Sequence, residues 1–245
     1  MLRGHAKAVV LALLLVVLAA EAYLTHRWYD RYHELDAGNI PAVAATSMEA
    51  ASRADRGADE TRRSEPADDT DFLHTATDGN SRGDFTYLDD PRLNGDPSAI
   101  VLATPLGKGA EDDSYGHNIG VWYEGQKGRW AIFNQDLAPV PAGSTFRVHL
   151  PPASGGFVHR AAAASIEENS THVDDPLVNG RPGADVSVTQ NWNPGGRGGV
   201  YNDHPVGISY DEEAGGWVIQ NRDGARMPDG AAFNIAVPDA AETGR

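Results

Sequence analysis

An internal duplication constrains this chain more than any other feature. Phe72-Leu73-His74 returns as Phe157-Val158-His159, Asp89-Asp90-Pro91 as Asp174-Asp175-Pro176, and Asn94-Gly95-Asp96-Pro97 as Asn179-Gly180-Arg181-Pro182, all at an offset of 85 residues. From His117 onward the offset is 87. His117-Asn118-Ile119-Gly120 returns as His204-Pro205-Val206-Gly207, Trp130 as Trp217, and Pro141–Phe146 as Pro228–Phe233. Two residues are therefore gained between Thr189 and His204, in a Gly-rich stretch. A sequence that repeats itself in this order folds as two copies of one unit. The copies span 72–150 and 157–237, and the turn-rich segment Pro151-Pro152-Ala153-Ser154-Gly155-Gly156 joins them.

Each copy reads as all-β. Val186 and Val188 alternate with Asp185, Ser187 and Thr189, the period of a half-buried strand. Phe72–Thr75, Ile119–Glu124, Trp130–Asn134 and Thr145–Leu150 are further strand candidates, with their counterparts in the second copy. Asn-Gly, Asp-Pro and Gly-Gly pairs separate them at the spacing of a small sandwich or barrel. Arg160–Ala164 has helical propensity, but the equivalent Thr75–Gly79 does not, so no helix is expected there. The expectation is two tandem β-sandwich-like or barrel-like units, packed face to face about a pseudo-twofold axis.

The segments outside the copies have other roles. Arg3 and Lys7 precede thirteen apolar residues, Ala8–Ala20, which is the layout of an export signal. Ala20-Glu21-Ala22 offers a cleavage site, and a cleaved chain would be secreted. The favoured alternative is an uncleaved signal anchor within 1–35, spanning Ala8 to Leu24, with Arg27, Trp28, Tyr29 and Tyr32 at the membrane surface. That reading gives a single-pass cell-membrane protein with its C-terminal domains outside. Residues 36–71 are rich in Ala, Asp, Glu, Arg, Ser and Thr and poor in large apolar residues, so a disordered linker is expected. A short tail, 238–245, follows the second copy.

The formal net charge of -15 excludes nucleic acid as a partner, because phosphate binding requires clustered Lys and Arg. The absence of cysteine removes disulfides, thiolate catalysis and zinc–thiolate sites. No metal site and no cofactor is expected.

The Phe-x-His-Thr-Ala-Thr opening, the Trp-Ala-Ile-Phe-Asn-Gln-Asp strand and the loop Thr189–Gly196 resemble a family of extracellular bacterial tandem-repeat β domains that carries only a domain-of-unknown-function label. The resemblance covers Phe72 to Val237 and implies a secreted β-rich module with no known activity. The first copy departs from it after Thr104, where Pro105–Asp113 replaces the Asn-Trp-Asn-Pro loop.

Four sets of residues are functional candidates. The loop from Gln190 to His204 is the first, with Gln190, Asn191, Trp192, Asn193, Tyr201, Asn202 and His204. An aromatic ring among amides suits a glycan or cell-wall polymer: the ring stacks on C–H bonds and the amides take hydroxyls. The competing reading folds Trp192 back on its own copy's core. The second set is Asp174, Asp175 and His204, which carry enough acid–base chemistry for an envelope-polymer hydrolase if they converge. The Asp pairs before Pro also suit turn closure. The third comprises the retained histidines, His74/His159 and His117/His204; without metal-ligand spacing, each is expected to bond backbone in a turn. The fourth is a face. Ile100, Leu102, Trp122 and Phe133 stand opposite Asp185, Ser187, Ser209 and Gln220, and strand parity puts all four away from their own core. An apolar face of this kind is covered either by the second copy or by a partner protein. Three readings of function remain open: an extracellular binding or adhesion module, a hydrolase, and a ligand-free spacer.

Overall fold

The computed structural model describes residues 70–106 and 115–237. The leader 1–35, nearly all of the linker 36–71, most of the Pro105–Asp113 replacement and the tail 238–245 lie outside the described residues. None of the helices among the described residues is long and apolar enough to cross a membrane. The described residues fall in one compact unit that holds both copies.

Among the described residues each copy contributes seven strands. The first has β1 (Asp71–Thr75), β2 (Ser81–Arg82), β3 (Phe85–Tyr87), β4 (Leu102–Pro105), β5 (Ile119–Glu124), β6 (Arg129–Asn134) and β7 (Thr145–His149). The second has β8 (Gly156–Arg160), β9 (Ile166–Glu167), β10 (Ser170–Val173), β11 (Ser187–Asn191), β12 (Val206–Asp211), β13 (Gly216–Asn221) and β14 (Ala232–Ala236). All the strands read from the sequence are present within a residue or two at their ends. The hairpins β2–β3 and β9–β10 are additional. They are too short to show alternation, and their turns lie at Gly83-Asp84 and Glu168-Asn169. Ala163–Ser165, inside the alanine-rich segment, is a turn.

Strand order repeats with the sequence. The first copy pairs β1-β7-β4 and β2-β3-β6-β5; the second pairs β8-β14-β11 and β9-β10-β13-β12. Each copy is thus a two-sheet sandwich around its own core. Leu93, Val121, Trp130, Ile132, Phe146 and Val148 fill the first core, and Val178, Trp217, Ile219, Phe233 and Ile235 the second. The two tryptophans are anchored alike. Trp130 Nε1 donates to the Asp96 carbonyl at 2.8 Å and Trp217 Nε1 to the Arg181 carbonyl at 3.1 Å.

The copies do not stack face to face. They join edge to edge through a parallel pair, β5 with β11, in the register Gln190↔Gly120 and Asn191↔Val121. The four-stranded sheet of the first copy and the three-stranded sheet of the second become one sheet of seven, β2-β3-β6-β5-β11-β14-β8. The reason lies in exposed strand edges. A sandwich edge leaves backbone groups unpaired, and pairing two edges satisfies both.

Candidate functional site

The loop that the sequence singles out lies in the joint between the copies. Beyond Asn191 the parallel ladder is carried on by one backbone bond and then by a side chain. Trp192 N–H donates to the Val121 carbonyl at 2.9 Å. Asn193 then takes the place of a peptide: its Oδ1 accepts the Tyr123 N–H at 2.8 Å and its Nδ2 donates to the Tyr123 carbonyl at 2.8 Å. A carboxamide has the donor and acceptor geometry of a peptide group, so one Asn closes both orphaned groups of Tyr123. The turn Pro194–Gly196 and the glycines after it let the chain pass close to itself. A Cβ on Gly199 would lie 1.3 Å from the Trp192 carbonyl oxygen, and one on Gly196 would lie 2.9 Å from the Tyr123 ring.

The remaining residues of the loop are drawn into the same joint. Gln190 Oε1 accepts from Gln135 Nε2 at 3.0 Å and from Asn202 Nδ2 at 3.4 Å. Asn202 and Asn221 exchange amide bonds at 3.0 and 3.1 Å. In the first copy Tyr115 stands where Asn202 does. Its hydroxyl donates to Asn134 Oδ1 at 2.9 Å, and burial pushes the phenol up to about 12. Asn191 Nδ2 donates to Asn234, whose own Nδ2 reaches across to the Val101 carbonyl at 2.8 Å. Thr189 Oγ1 accepts the Ala103 N–H at 3.1 Å and donates back to the Ala103 carbonyl at 3.3 Å. The edge of β4 is thereby satisfied by side chains of β11 and β14.

Burial follows from these contacts. Trp192 is 8% exposed, and Gln190, Asn191, Asn193 and Asn202 are buried. The ring of Trp192 stands edge-on to Trp122, with centroids 6.4 Å apart, and Tyr201 lies against Phe133 at 6.5 Å. Burial raises the Tyr201 phenol well above its usual range, and Asp203, Asp84 and Asp136 push the same way. Trp192 therefore has no open face on which a sugar could stack. Nor does it cap its own copy's core: it crosses to the other copy.

The four-residue face takes its place here. Leu102, Trp122 and Phe133 are buried, and Ile100 is half-buried, with its Cγ2 beside Gly156 of the second copy. Phe85 belongs with them. It pairs with Phe133 across β3–β6 and packs edge-on to Trp122 at 5.7 Å. Its counterpart is Ser170, a contrast hidden from sequence reasoning because β3 itself is too short to recognise. Gln135, Thr189 and Asn234 also escape sequence reasoning. Gln135 and Asn234 carry a signal, since their counterparts are Arg222 and Arg147; Thr189 carries none, since its counterpart is Thr104.

The histidines bond side chains, not turn backbone. His74 Nε2 lies 2.8 Å from Thr86 Oγ1, and His159 Nε2 lies 3.0 Å from Thr171 Oγ1. Each pins one sheet of its sandwich to the other. Burial lowers His74 to about 4 and lowers His159 as well, so both are held neutral. His117 Nδ1 lies 2.6 Å from Asp136 Oδ2, and His204 Nδ1 lies 2.7 Å from Asp223 Oδ2. The other oxygens of these carboxylates accept the N–H groups of Ala138 and Ala225, and that turn bond leads the lowering of the Asp223 carboxyl.

The proposed acid–base set does not converge. Asp175 Oδ1 accepts the Leu177 N–H at 2.9 Å and Asp174 Oδ1 accepts from Asn179 at 2.7 Å, both within one turn. Asp89 and Asp90 act alike toward Asn94 and Arg92. The turn of Asp174 and Asp175 follows Val173, which pairs with Trp217 at the start of β13. His204 precedes Val206, which pairs with Asn221 at its end. At ~3.3 Å per strand residue, the carboxylates and the imidazole are held more than about 10 Å apart. Among the described residues no group of three or more His, Asp or Glu side chains is placed to hold a metal ion.

Two sandwiches of one topology, one per sequence copy, are the pattern a tandem domain leaves. The family model described as Domain of unknown function (DUF7452) matches residues 63–150 and again 120–237. The chain belongs to this family. The matches overlap: the first covers the first copy, and the second begins in β5 of the first copy and runs through the second copy. No curated protein and no solved structure matches the chain.

Proposed function

We propose that this DUF7452 protein is a non-enzymatic extracellular binding or adhesion module, either tethered by its N-terminal segment or secreted. The observation that carries the reading is the seven-stranded sheet, which makes two copies one stiff body behind a long polar linker. A stiff body on a stalk suits the presentation of a surface. The separation of Asp174 and Asp175 from His204 supports binding over hydrolysis. A charge of -15 favours an uncharged envelope polysaccharide over a polyanion.

The binding surface in this reading is not the Gln190–His204 loop, which is spent on the joint. An open groove of about 530 Å³ runs beside the segment that joins the copies, lined by Thr70, Arg92, Asp96, Ser98, Leu150 and Pro152 among others. It offers the mixture of apolar wall and polar groups that a sugar chain takes. The test is a pull-down of the full chain on isolated envelope polysaccharide, with a glycan array beside it. Wild type is expected to be retained. Ala153→Trp, which fills the mouth of the groove from an exposed position, is expected to lose retention with its melting temperature unchanged. Retention unaffected by that substitution rejects the groove, and no retention of wild type rejects the binding reading in favour of a spacer.

A further inference from the structure

The joint between the copies is directional. Exchanging the copies would set Pro105 opposite Gly207 and pair β4 with β12, and no such pair forms among the described residues. An interface that does not map onto itself leaves each half repeated elsewhere in the chain. The acceptor half is the outer edge of β5 with Phe85, Trp122, Phe133 and Gln135. It recurs in the second copy as the outer edge of β12 with Ser170, Ser209, Gln220 and Arg222. The donor half is Thr189, Gln190 and Asn234 with the Asn191–Pro194 plug. It recurs in the first copy as Thr104, Pro105 and Arg147, followed by Leu106-Gly107-Lys108 in place of Asn191-Trp192-Asn193.

Each recurring half has lost the features that make the contact. Pro105 has no N–H to give a ladder. Thr104 and Arg147 are exposed, whereas Thr189 and Asn234 are buried. Ser209 on β12 and Arg222, just past the end of β13, are exposed. The Arg222 guanidinium lies over Gly207, 2.3 Å from where a Cβ would be, on the strand position whose counterpart Gly120 pairs with Gln190. Charged side chains at a strand edge are a known guard against strand addition. Head-to-tail contacts that do not close build filaments, and repeat arrays end on polar outer faces.

We infer that the outer edge of β12 is a strand acceptor in shut form, shaped for the donor strand of a second copy of this chain and closed to it by Ser209, Gln220 and Arg222. The pairing it would make is parallel, with Gln190 of the donor opposite Gly207 and the donor's Trp192 over position 209. Both edges through which a second chain could extend the array are thus closed.

The experiment uses the full chain and a fluorescein-labelled peptide of sequence Ser187–Gly196, followed by fluorescence anisotropy. Ser209→Trp/Gln220→Phe/Arg222→Gln restores three of the four acceptor residues of the first copy. The triple variant is expected to bind the peptide at least about tenfold more tightly than wild type, and a peptide with Trp192→Ala is expected to lose that gain. Equal binding to wild type and a folded variant, or no gain in the folded variant, overturns the inference. Circular dichroism reports folding. Should the triple variant not fold, Arg222→Gln alone decides the matter: it must bind the peptide at least threefold more tightly than wild type, and an unchanged affinity overturns the inference.

Discussion

The outward faces of the two four-stranded sheets are the region where the copies part company. Both sheets have the same strand order, the same core tryptophan and the same His–Asp tie at one end. On the first copy the outward face carries Phe85, Trp122 and Phe133, and the second copy's loop lies over it. On the second copy the same positions are Ser170, Ser209 and Gln220, with Ser209 in solvent. Duplication supplies two identical surfaces, and only one can be covered inside a two-copy chain. The covered surface keeps apolar residues because burial stabilises by about 25 cal/mol per Å² of apolar area. The uncovered one is polar, because an exposed apolar edge would recruit another chain.

The largest effect expected from breaking this contrast comes at Trp122. Trp122→Ser removes a buried indole and leaves a cavity under Trp192, at a cost of about 3–5 kcal/mol in urea unfolding. The mirror change Ser209→Trp, on the open face, is expected to alter stability by no more than about 0.5 kcal/mol. Equal losses at the two positions would mean that the faces are not distinct.

Acid sharpens the same comparison inside the cores. Burial lowers the His74 imidazole from its unperturbed 6.5 to about 4 in the folded chain, so the unfolded chain binds more protons between those values. Its contribution is complete above pH 6.5 and is lost as pH falls through about 4. At ~1.4 kcal/mol per unit, that loss is about 3 kcal/mol. His159 is lowered in the same direction by burial but is half-buried, and adds a smaller loss as pH falls. Urea unfolding at pH 7, 5 and 4 is expected to show His74→Gln flattening the acid dependence more than His159→Gln does.

Asn193 comes next. Asn193→Ala strips the Tyr123 N–H and carbonyl of their partners within a buried joint, and about 2 kcal/mol is expected to be lost in the same assay. The smallest effect is at a turn. Glu168 holds φ 51° where the first copy has Gly83 at φ 54°. Glu168 is exposed, so Glu168→Gly is expected to raise stability by about 0.5–1 kcal/mol, by relieving a left-handed conformation that a side chain disfavours. The reverse change, Gly83→Glu, is expected to lower it by a similar amount.

Much of this architecture is legible in the sequence, because duplication acts as an internal alignment. Strands from Phe72, Ile119, Trp130 and Thr145 repeat with their turns, and the polar-for-apolar exchanges at Trp122 and Phe133 mark a face by residue type alone. What the sequence withholds is where polar side chains point. Asn191, Trp192 and Asn193 among glycines look like an exposed sugar site, because an amide that suits a hydroxyl suits a strand edge equally. The glycines serve the close passage at Gly199, not flexibility. The edge-to-edge joint is not legible either, since a parallel pair between copies rests on two register positions, Gly120 and Val121, that leave no periodic trace. The hairpins β2–β3 and β9–β10 escape because their strands are only two to four residues long, too short for alternation to stand out.

The central claim is that the Trp192–Asn193 segment pairs with the edge of β5 while the equivalent edge of β12 has no strand beside it among the described residues. Hydrogen exchange at two backbone amides tests it within one molecule. The Tyr123 N–H donates to Asn193 Oδ1, whereas the Tyr210 N–H, its counterpart by pairing with Trp217 as Tyr123 pairs with Trp130, faces the outer edge of β12. The account predicts that Tyr123 exchanges at least about a hundredfold more slowly than Tyr210, and that Asn193→Ala brings Tyr123 toward the faster rate. Equal protection of the two amides in the wild-type chain would contradict it.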